Sequence, residues 1–190
     1  MLRYANYDIV FREIPEETSL AVAISGCQIR CTGCHSRYLW EDKGEILDVE
    51  TLCGLLNNNQ GITTLLLMGG EHDIDALTEL FMYAHKRIKT AWYCGLDMIP
   101  KDKMGITDYL DYCKLGHYDM ELGGLDCPTT NQRLYQFNHL FSDCTILGAG
   151  WRDITHKFWK HEVQGCNWLL RLSVYCSSIL DDTDNYGRRI

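Results

Sequence analysis

The chain has 190 residues, which suits one domain, and its 18 Lys and Arg against 26 Asp and Glu give a net charge of −8. An acidic chain lacks the basic face that non-specific nucleic-acid binding needs, so we expect no nucleic-acid partner. No apolar run approaches the ~20 residues of a membrane span, and the first residues lack the apolar core of a signal peptide. We therefore expect a cytoplasmic protein with no membrane partner, whose ten cysteines serve metal binding, catalysis or burial rather than disulfides.

Predicted strands and helices alternate along the chain. Apolar runs predict strands over 18–25, 62–68, 89–94 and 111–115, and helical periodicity predicts helices over 49–58 and 73–88. This alternation indicates an α/β fold with a mainly parallel sheet and right-handed crossovers. Glycine directly follows each of the four predicted strands, at the end where ligands bind in parallel α/β folds: Gly26, Gly69, Gly95 and Gly116. These glycines either let the backbone approach a ligand or simply make tight turns.

Three cysteines follow the first predicted strand: Cys27, Cys31 and Cys34. They are too close in sequence to link distant parts of a fold, and thiolates grouped in this way bind soft metals or iron–sulfur clusters. Structural zinc is the alternative, but its ligands usually form two separated pairs, and the fourth ligand here would be His35 or a remote cysteine. Three thiolates on a four-iron cluster would leave one iron open to a ligand. Arg30 lies between these cysteines and is expected to lower the pKa of their thiols.

The spacing C-x3-C-x2-C resembles the signature of the radical S-adenosylmethionine superfamily. The resemblance implies a 4Fe–4S cluster held by Cys27, Cys31 and Cys34, whose open iron binds the amino and carboxylate groups of S-adenosylmethionine. It also implies an incomplete β/α barrel with a mainly parallel sheet, in a domain spanning residues 1–160. The protein would then position the cofactors and exclude water, because the cofactors supply the chemistry.

A second motif ends the strand predicted over 62–68. Gly69, Gly70 and Glu71 are similar to the superfamily's GGE motif, whose backbone and acidic side chain bind the methionyl ammonium group. Glycines expose backbone carbonyls, and a glutamate adds the negative charge that an ammonium group prefers. Taken alone, Gly-Gly-Glu is more often a plain turn. Its place at the end of the next core strand after the cysteines favours the functional interpretation.

Further segments resemble the small activating enzymes of glycyl-radical proteins, and among these the activating proteins of anaerobic (class III) ribonucleoside-triphosphate reductases. These segments are Gly33-Cys34-His35 with Trp40 behind it, 90–95 (TAWYCG), 112–116 (YCKLG) and 129–133 (TTNQR). The resemblance covers roughly residues 7–159. It implies that a deoxyadenosyl radical takes an α-hydrogen from a glycine of the reductase, and that a flavodoxin-like protein donates the electron. It implies no catalytic residue beyond the cluster ligands.

The chain departs from the family pattern in three places. Ser36 stands where many members have asparagine, and 14–18 (IPEET) replaces the Asp-Gly-Pro-Gly segment common before the first strand. Residues 161–190 match no known pattern and are predicted to be a C-terminal extension in which Cys166 and Cys176 are incidental.

For several residues, and for the function itself, the sequence is compatible with two or more interpretations. Lys114 would contact the carboxylate of the cofactor or be a surface or ion-pair residue. Tyr93 would line the adenosine site or pack in the core. The segment Asn131-Gln132-Arg133 would shape the partner surface or form a polar turn. The chain would alternatively activate a different glycyl-radical protein, act as a deazaguanine synthase, or be a non-catalytic, metal-stabilised docking module.

Overall fold

Strands dominate the described part of the chain, residues 1–159 of a computed structural model. The predicted extension over 161–190, with Cys166 and Cys176, lies outside the described residues. None of the helices described is long and apolar enough to cross a membrane. The α-helices are α1 (Val49–Asn58) and α2 (Ile74–Ala84), and the strands are β1 (Arg3–Val10), β2 (Ser19–Ile24), β3 (Glu45–Ile46), β4 (Thr64–Met68), β5 (Lys89–Tyr93), β6 (Tyr112–Leu115), β7 (Arg133–Phe137), β8 (Cys144–Thr145), β9 (Gly148–Ala149) and β10 (Trp151–Asp153). Short 3₁₀ helices span Arg37–Trp40, Glu71–Asp73, Lys101–Tyr109 and Thr155–Phe158.

Eight strands form one open sheet in the order β10-β7-β6-β5-β4-β2-β1-β3. Its centre, β2-β4-β5-β6, is parallel as predicted. Both sides continue with antiparallel pairs, so the whole sheet is mixed rather than mainly parallel. Because β10 and β3 are free edges, the sheet does not close into a barrel within residues 1–159. The barrel implied by the resemblance stays a prediction.

The core strands and α1 lie where the sequence places them, and α2 is shorter than predicted. Aspartates cap both helices, because Asp48 accepts from Thr51 N–H at 2.8 Å and Asp73 accepts from Ala76 N–H at 3.2 Å. Helix α2 ends at Ala84 rather than at residue 88. The N–H groups of Arg87 and Ile88 both donate to the Ala84 carbonyl in a tightened final turn. The helical spacing of apolar residues in the sequence therefore extends past the end of the regular helix.

The strands outside the parallel centre escaped sequence prediction. β1 contains exposed polar residues such as Asn6 and Asp8, and β10 has only three residues. Such strands lack the apolar run that identifies the buried centre. The helices cover the face of the sheet that carries Leu20, Leu65 and Trp92. The opposite face carries a separate apolar cluster: Ile14, Ala21, Leu66, Ala91, Tyr112, Leu134 and Ile154.

A buried carboxylate joins the amino ends of three core strands. Glu17 is 8 % exposed. Its side chain accepts hydrogen bonds from Thr63 at 2.6 Å, Thr64 at 3.1 Å, Lys89 at 2.5 Å and Tyr112 at 2.9 Å. Burial opposes ionisation of this carboxyl, but the hydrogen bonds and the Lys89 charge outweigh burial and lower the pKa of Glu17. This network fixes the end of the sheet opposite the four strand-end glycines.

Candidate iron–sulfur site

The three cysteines lie in one loop, residues 26–35, which follows β2 and is called the cysteine loop below. Backbone hydrogen bonds hold the loop, from Cys27 N–H to the Leu39 carbonyl at 2.9 Å and from Cys34 N–H to the Cys31 carbonyl at 3.2 Å. Gly33 has φ +75°, and a β-carbon there would lie 3.0 Å from the Met120 sulfur. The backbone conformation therefore favours glycine, and a larger residue would also displace the Met120 side chain.

All three thiols are half-buried and free. Tyr118 N–H donates to the sulfur of Cys31 at 3.3 Å, and Ser36 N–H donates to the sulfur of Cys34 at 3.3 Å. Backbone N–H groups aimed at sulfur suit thiolate ligands, whose charge they stabilise. Within residues 1–159, no three His, Cys, Asp or Glu side chains are grouped closely enough for a single metal ion. A four-iron cluster offers each thiolate a different iron, so its ligands need not meet at one point.

The expected effect of Arg30 on the thiols is wrong for Cys27. Burial raises the pKa of the Cys27 thiol, and the nearby Glu71 carboxylate adds to the increase, whereas backbone N–H groups of the loop lower it by less. A ligand-free thiol in this position therefore tends to keep its proton. Metal binding must displace that proton, since the thiolate is the form that ligates.

The Gly69-Gly70-Glu71 segment forms a braced turn at the end of β4. Gly69 N–H donates to the Tyr93 carbonyl at 2.9 Å, and the Gly69 carbonyl accepts from the Trp92 indole at 2.9 Å. One carboxylate oxygen of Glu71, Oε1, accepts from Gly95 N–H. The other, Oε2, is buried and has no hydrogen-bond partner among residues 1–159. A buried carboxylate oxygen without a donor fits a cationic ligand such as an ammonium group.

Lys114 is a buried amine, only 7 % exposed, on β6. Its Nζ donates to two backbone carbonyls, those of Gly116 at 2.6 Å and Cys94 at 3.5 Å. Burial lowers the pKa of Lys114 to about 8. The surface alternative for Lys114 is therefore wrong. A buried cation whose bonds go only to neutral carbonyls is suited to an anionic ligand group.

Other residues singled out by sequence belong to the core. The Tyr93 hydroxyl donates to the Glu13 carbonyl, and its ring packs on the face opposite the helices, so the core alternative holds for Tyr93. Cys94 and Cys113 are buried, and burial raises the pKa of both thiols. Neutral buried thiols are poor ligands, so Cys94 and Cys113 are core residues rather than further metal ligands.

A cavity of about 290 Å³ opens where β6 ends and β7 begins. Asp97 accepts from the His117 ring at 2.8 Å, and this contact lowers the pKa of Asp97. The amide nitrogen of Asn131 donates to the His117 carbonyl at 2.9 Å. The Oδ1 atom of Asn131 is buried and has no hydrogen-bond partner among residues 1–159. Arg133 also lines the cavity. The segment 131–133 is thus a cavity wall as well as a polar turn, and His117 lines the same cavity.

Two contacts at the site escaped sequence analysis. The sequence marks Gly95 only as a strand-end glycine. In the structure its N–H donates to Glu71, and its Cα lies close to the cysteine loop. A β-carbon added at Gly95 would lie 2.9 Å from Ile29 Cγ1. Tyr118, which contacts Cys31 and His35, was not singled out. The signal for Gly95 was its position: parallel neighbours end at the same edge of a sheet, so the residues after β4 and β5 meet.

Comparisons with known proteins bear on this site. No curated protein and no solved structure matches the chain. A protein-family model described as a 4Fe-4S single cluster domain matches residues 17–122, more than half of the 190-residue chain. The matched segment includes the whole cysteine loop, Gly69-Gly70-Glu71 and Lys114. The thiol set and the N–H groups that face it fit such a cluster. The chain therefore belongs to the family of 4Fe-4S single cluster domains.

Proposed function

We propose that this chain is a radical S-adenosylmethionine enzyme that activates an anaerobic ribonucleoside-triphosphate reductase by forming a glycyl radical. One observation carries the proposal: the Glu71 carboxylate, of which one oxygen is buried without a hydrogen-bond partner among residues 1–159, lies beside the cysteine loop. Gly95 connects the two, because a β-carbon there would lie 2.9 Å from Ile29 of the loop and 3.3 Å from Glu71 Oε1. One edge of the sheet thus carries both a set of iron–sulfur ligands and a carboxylate suited to an ammonium group. This combination suits a cofactor that binds the cluster through an amino-acid group.

Each group of the site has a role in this proposal. Cys27, Cys31 and Cys34 would hold the 4Fe–4S cluster, with Gly33 and His35 next to the third ligand. Glu71 Oε2 would accept from the methionyl ammonium, and Gly69 and Gly70 shape the turn that carries it. When bound, the cluster and S-adenosylmethionine supply a one-electron cleavage and a radical that takes a hydrogen from glycine.

Lys114 would neutralise the carboxylate of the same ligand. Its ammonium is buried, and in the structure it bonds only to the Gly116 and Cys94 carbonyls. A ligand carboxylate would give this cation the charged partner that its buried position favours. Glu71 and Lys114 together would then hold an amino and a carboxylate group, which is the chemistry of an amino acid.

The cavity beside His117 would take the nucleoside part of the ligand. Its volume of about 290 Å³ lies near the lower end of small-molecule sites, which span ~300–1,000 Å³. Asn131 Oδ1 needs a donor, and an exocyclic amino group supplies one. Tyr118 N–H contacts Cys31, so the segment after β6 joins this cavity to the cysteine loop.

A protein substrate fits the exposed apolar residues of this region. Met98 and Met120 are each 62 % exposed, and they follow β5 and β6 at the edge that carries the site. Exposed large apolar side chains beside a site favour a macromolecular partner. The choice of the anaerobic reductase rests on the combined resemblance of the cysteine loop with Trp40, of 90–95, of 112–116 and of 129–133 to its activating proteins.

The test is to form the glycyl radical. The protein is reconstituted with iron and sulfide without oxygen, reduced, and mixed with S-adenosylmethionine and the anaerobic reductase. We expect a glycyl-radical EPR signal, lost when the acceptor glycine of the reductase is changed to alanine. Formation of 5′-deoxyadenosine without that signal would favour another small radical enzyme. One equivalent of zinc, with no iron or sulfide taken up, would favour the docking module and contradict the proposal.

A further inference from the structure

Two arginines stack on one tryptophan beside the cysteine loop. Trp40 ends the short helix Arg37–Trp40 that follows the loop. The guanidinium carbon of Arg30 lies 5.9 Å from the Trp40 ring centroid, and that of Arg37 lies 5.6 Å from it. Both arginines are exposed and the tryptophan is partly buried. A cation within about 6 Å of an indole ring is attracted to its face, so Trp40 holds both charges at the surface.

These two charges are not neutralised by neighbours in the described part of the chain. Neither Arg30 nor Arg37 is among the residues 1–159 that form ion pairs. The next acid along the chain, Glu41, pairs with Lys43, and Asp42 lies towards Gly26. A doubly positive surface therefore stands on a chain whose net charge is −8.

This surface also lies beside the proposed cluster ligands. Arg30 lies between Cys27 and Cys31 in the loop. The Cys27 N–H donates to the Leu39 carbonyl at 2.9 Å. Trp40 is therefore the direct chain neighbour of a residue that contacts the proposed ligand Cys27. An electron carrier that docks here approaches the cluster without crossing the sheet.

We propose that Arg30 and Arg37, held on Trp40, form the docking site for a small acidic protein that donates single electrons at low potential. The proposal rests on the proposed function, which requires one external electron. The carrier loses one electron, the cluster gains it, and no bond forms or breaks. Because carrier and chain would both be negative overall, the local attraction of this positive pair for the partner would orient the approach and make it sensitive to salt.

The test compares two charge-removal variants of the reconstituted protein. The double variant Arg30→Gln/Arg37→Gln removes the docking charges, and Arg37→Gln alone leaves the cysteine loop untouched. Arg87→Gln is the matched control, because Arg87 also stacks on an aromatic ring, 4.0 Å from the Tyr83 centroid, and is likewise absent from the ion pairs of residues 1–159. Iron content and the cluster absorbance are matched before measurement.

Flavodoxin is the acidic probe, and reduced methyl viologen is the small cationic comparison. We expect cluster reduction by flavodoxin hydroquinone at low salt to slow about tenfold in the double variant and less in Arg37→Gln. Calorimetry should show weaker binding of oxidised flavodoxin by the double variant. Arg87→Gln should behave as the parent protein, and viologen should reduce all four proteins alike.

Three results are decisive. Equal flavodoxin rates and affinities in the parent and the double variant would overturn the docking site. Equal slowing with flavodoxin and viologen would also overturn it, because the arginines would then act on the cluster itself. A parent protein that flavodoxin reduces through the arginines, but that never cleaves S-adenosylmethionine, would support the docking site and contradict the proposed function.

Discussion

The carboxylate of Glu71 accepts a hydrogen bond from the backbone N–H of Gly95. This bond ties the end of β4 to the end of β5 and fixes one carboxylate oxygen. The second oxygen stays buried without a donor. The turn is thus held by this bond, and its second carboxylate oxygen remains available to a donor.

Removal of the Glu71 charge should weaken the binding of S-adenosylmethionine. Glu71→Gln keeps a carbonyl oxygen for Gly95 N–H but cannot balance an ammonium charge. A hydrogen bond to a charged group contributes about 1.5–3 kcal/mol, so we expect at least a tenfold loss of affinity in equilibrium dialysis with reconstituted protein. Glu79→Gln on the exposed face of α2 is the control. Unchanged affinity in Glu71→Gln would show that this carboxylate does not bind the ligand.

A methyl group at Gly95 should displace the cysteine loop. In Gly95→Ala the new β-carbon would meet Ile29 Cγ1 at 2.9 Å and Glu71 Oε1 at 3.3 Å. We expect less iron and sulfide per chain after reconstitution, measured by chemical analysis. The matched control is Gly54→Ala, where nothing lies within 4 Å and alanine favours the α1 helix by about 1 kcal/mol. Full cluster content in Gly95→Ala would mean that the loop tolerates the shift.

Much of this site could be predicted from the sequence, and the parts that could not be predicted have a physical reason. The cysteine spacing and the glycine after each core strand are local patterns, so the sequence indicates a ligand site at one sheet edge. The Gly95–Glu71 bond joins segments 24 residues apart and depends on strand order, which no local pattern reports. Strands β1 and β7, which flank the parallel centre of the sheet, lack a continuous apolar run and were missed for a related reason: their pairing, not their composition, makes them strands.

Replacement of Lys114 should separate binding from folding. Lys114→Met removes a buried charge but fills nearly the same volume, so we expect a native circular-dichroism spectrum and a similar midpoint of urea unfolding. S-adenosylmethionine affinity should fall at least tenfold, because the ligand carboxylate loses its cation. Lys103→Met, whose parent side chain pairs with Asp75 on α2, is the control for affinity. Unchanged affinity of Lys114→Met for S-adenosylmethionine would show that Lys114 has a structural role and does not bind the ligand.

The Glu17 network should make stability depend on acidity. The folded-state pKa of Glu17 lies below its ordinary value of 4.5. Ionised Glu17 therefore stabilises the fold above about pH 4.5, and this contribution is lost as the pH falls through the lower folded-state pKa. Glu17→Gln should lower the free energy of unfolding by about 1–3 kcal/mol at pH 7. Urea unfolding should show this difference shrinking below about pH 4.5, and a difference independent of pH would contradict the role of charge.

The most direct measurement of the central claim is 5′-deoxyadenosine formation by the reduced, reconstituted protein. The three-cysteine assignment is tested with Cys31→Ala, and Cys53→Ala is the matched control because Cys53 lies on α1, outside the cysteine loop. We predict that the parent protein and Cys53→Ala form 5′-deoxyadenosine from S-adenosylmethionine, whereas Cys31→Ala forms none and binds less iron. Equal product from Cys31→Ala, or none from a parent protein with a full four-iron cluster, would contradict the account.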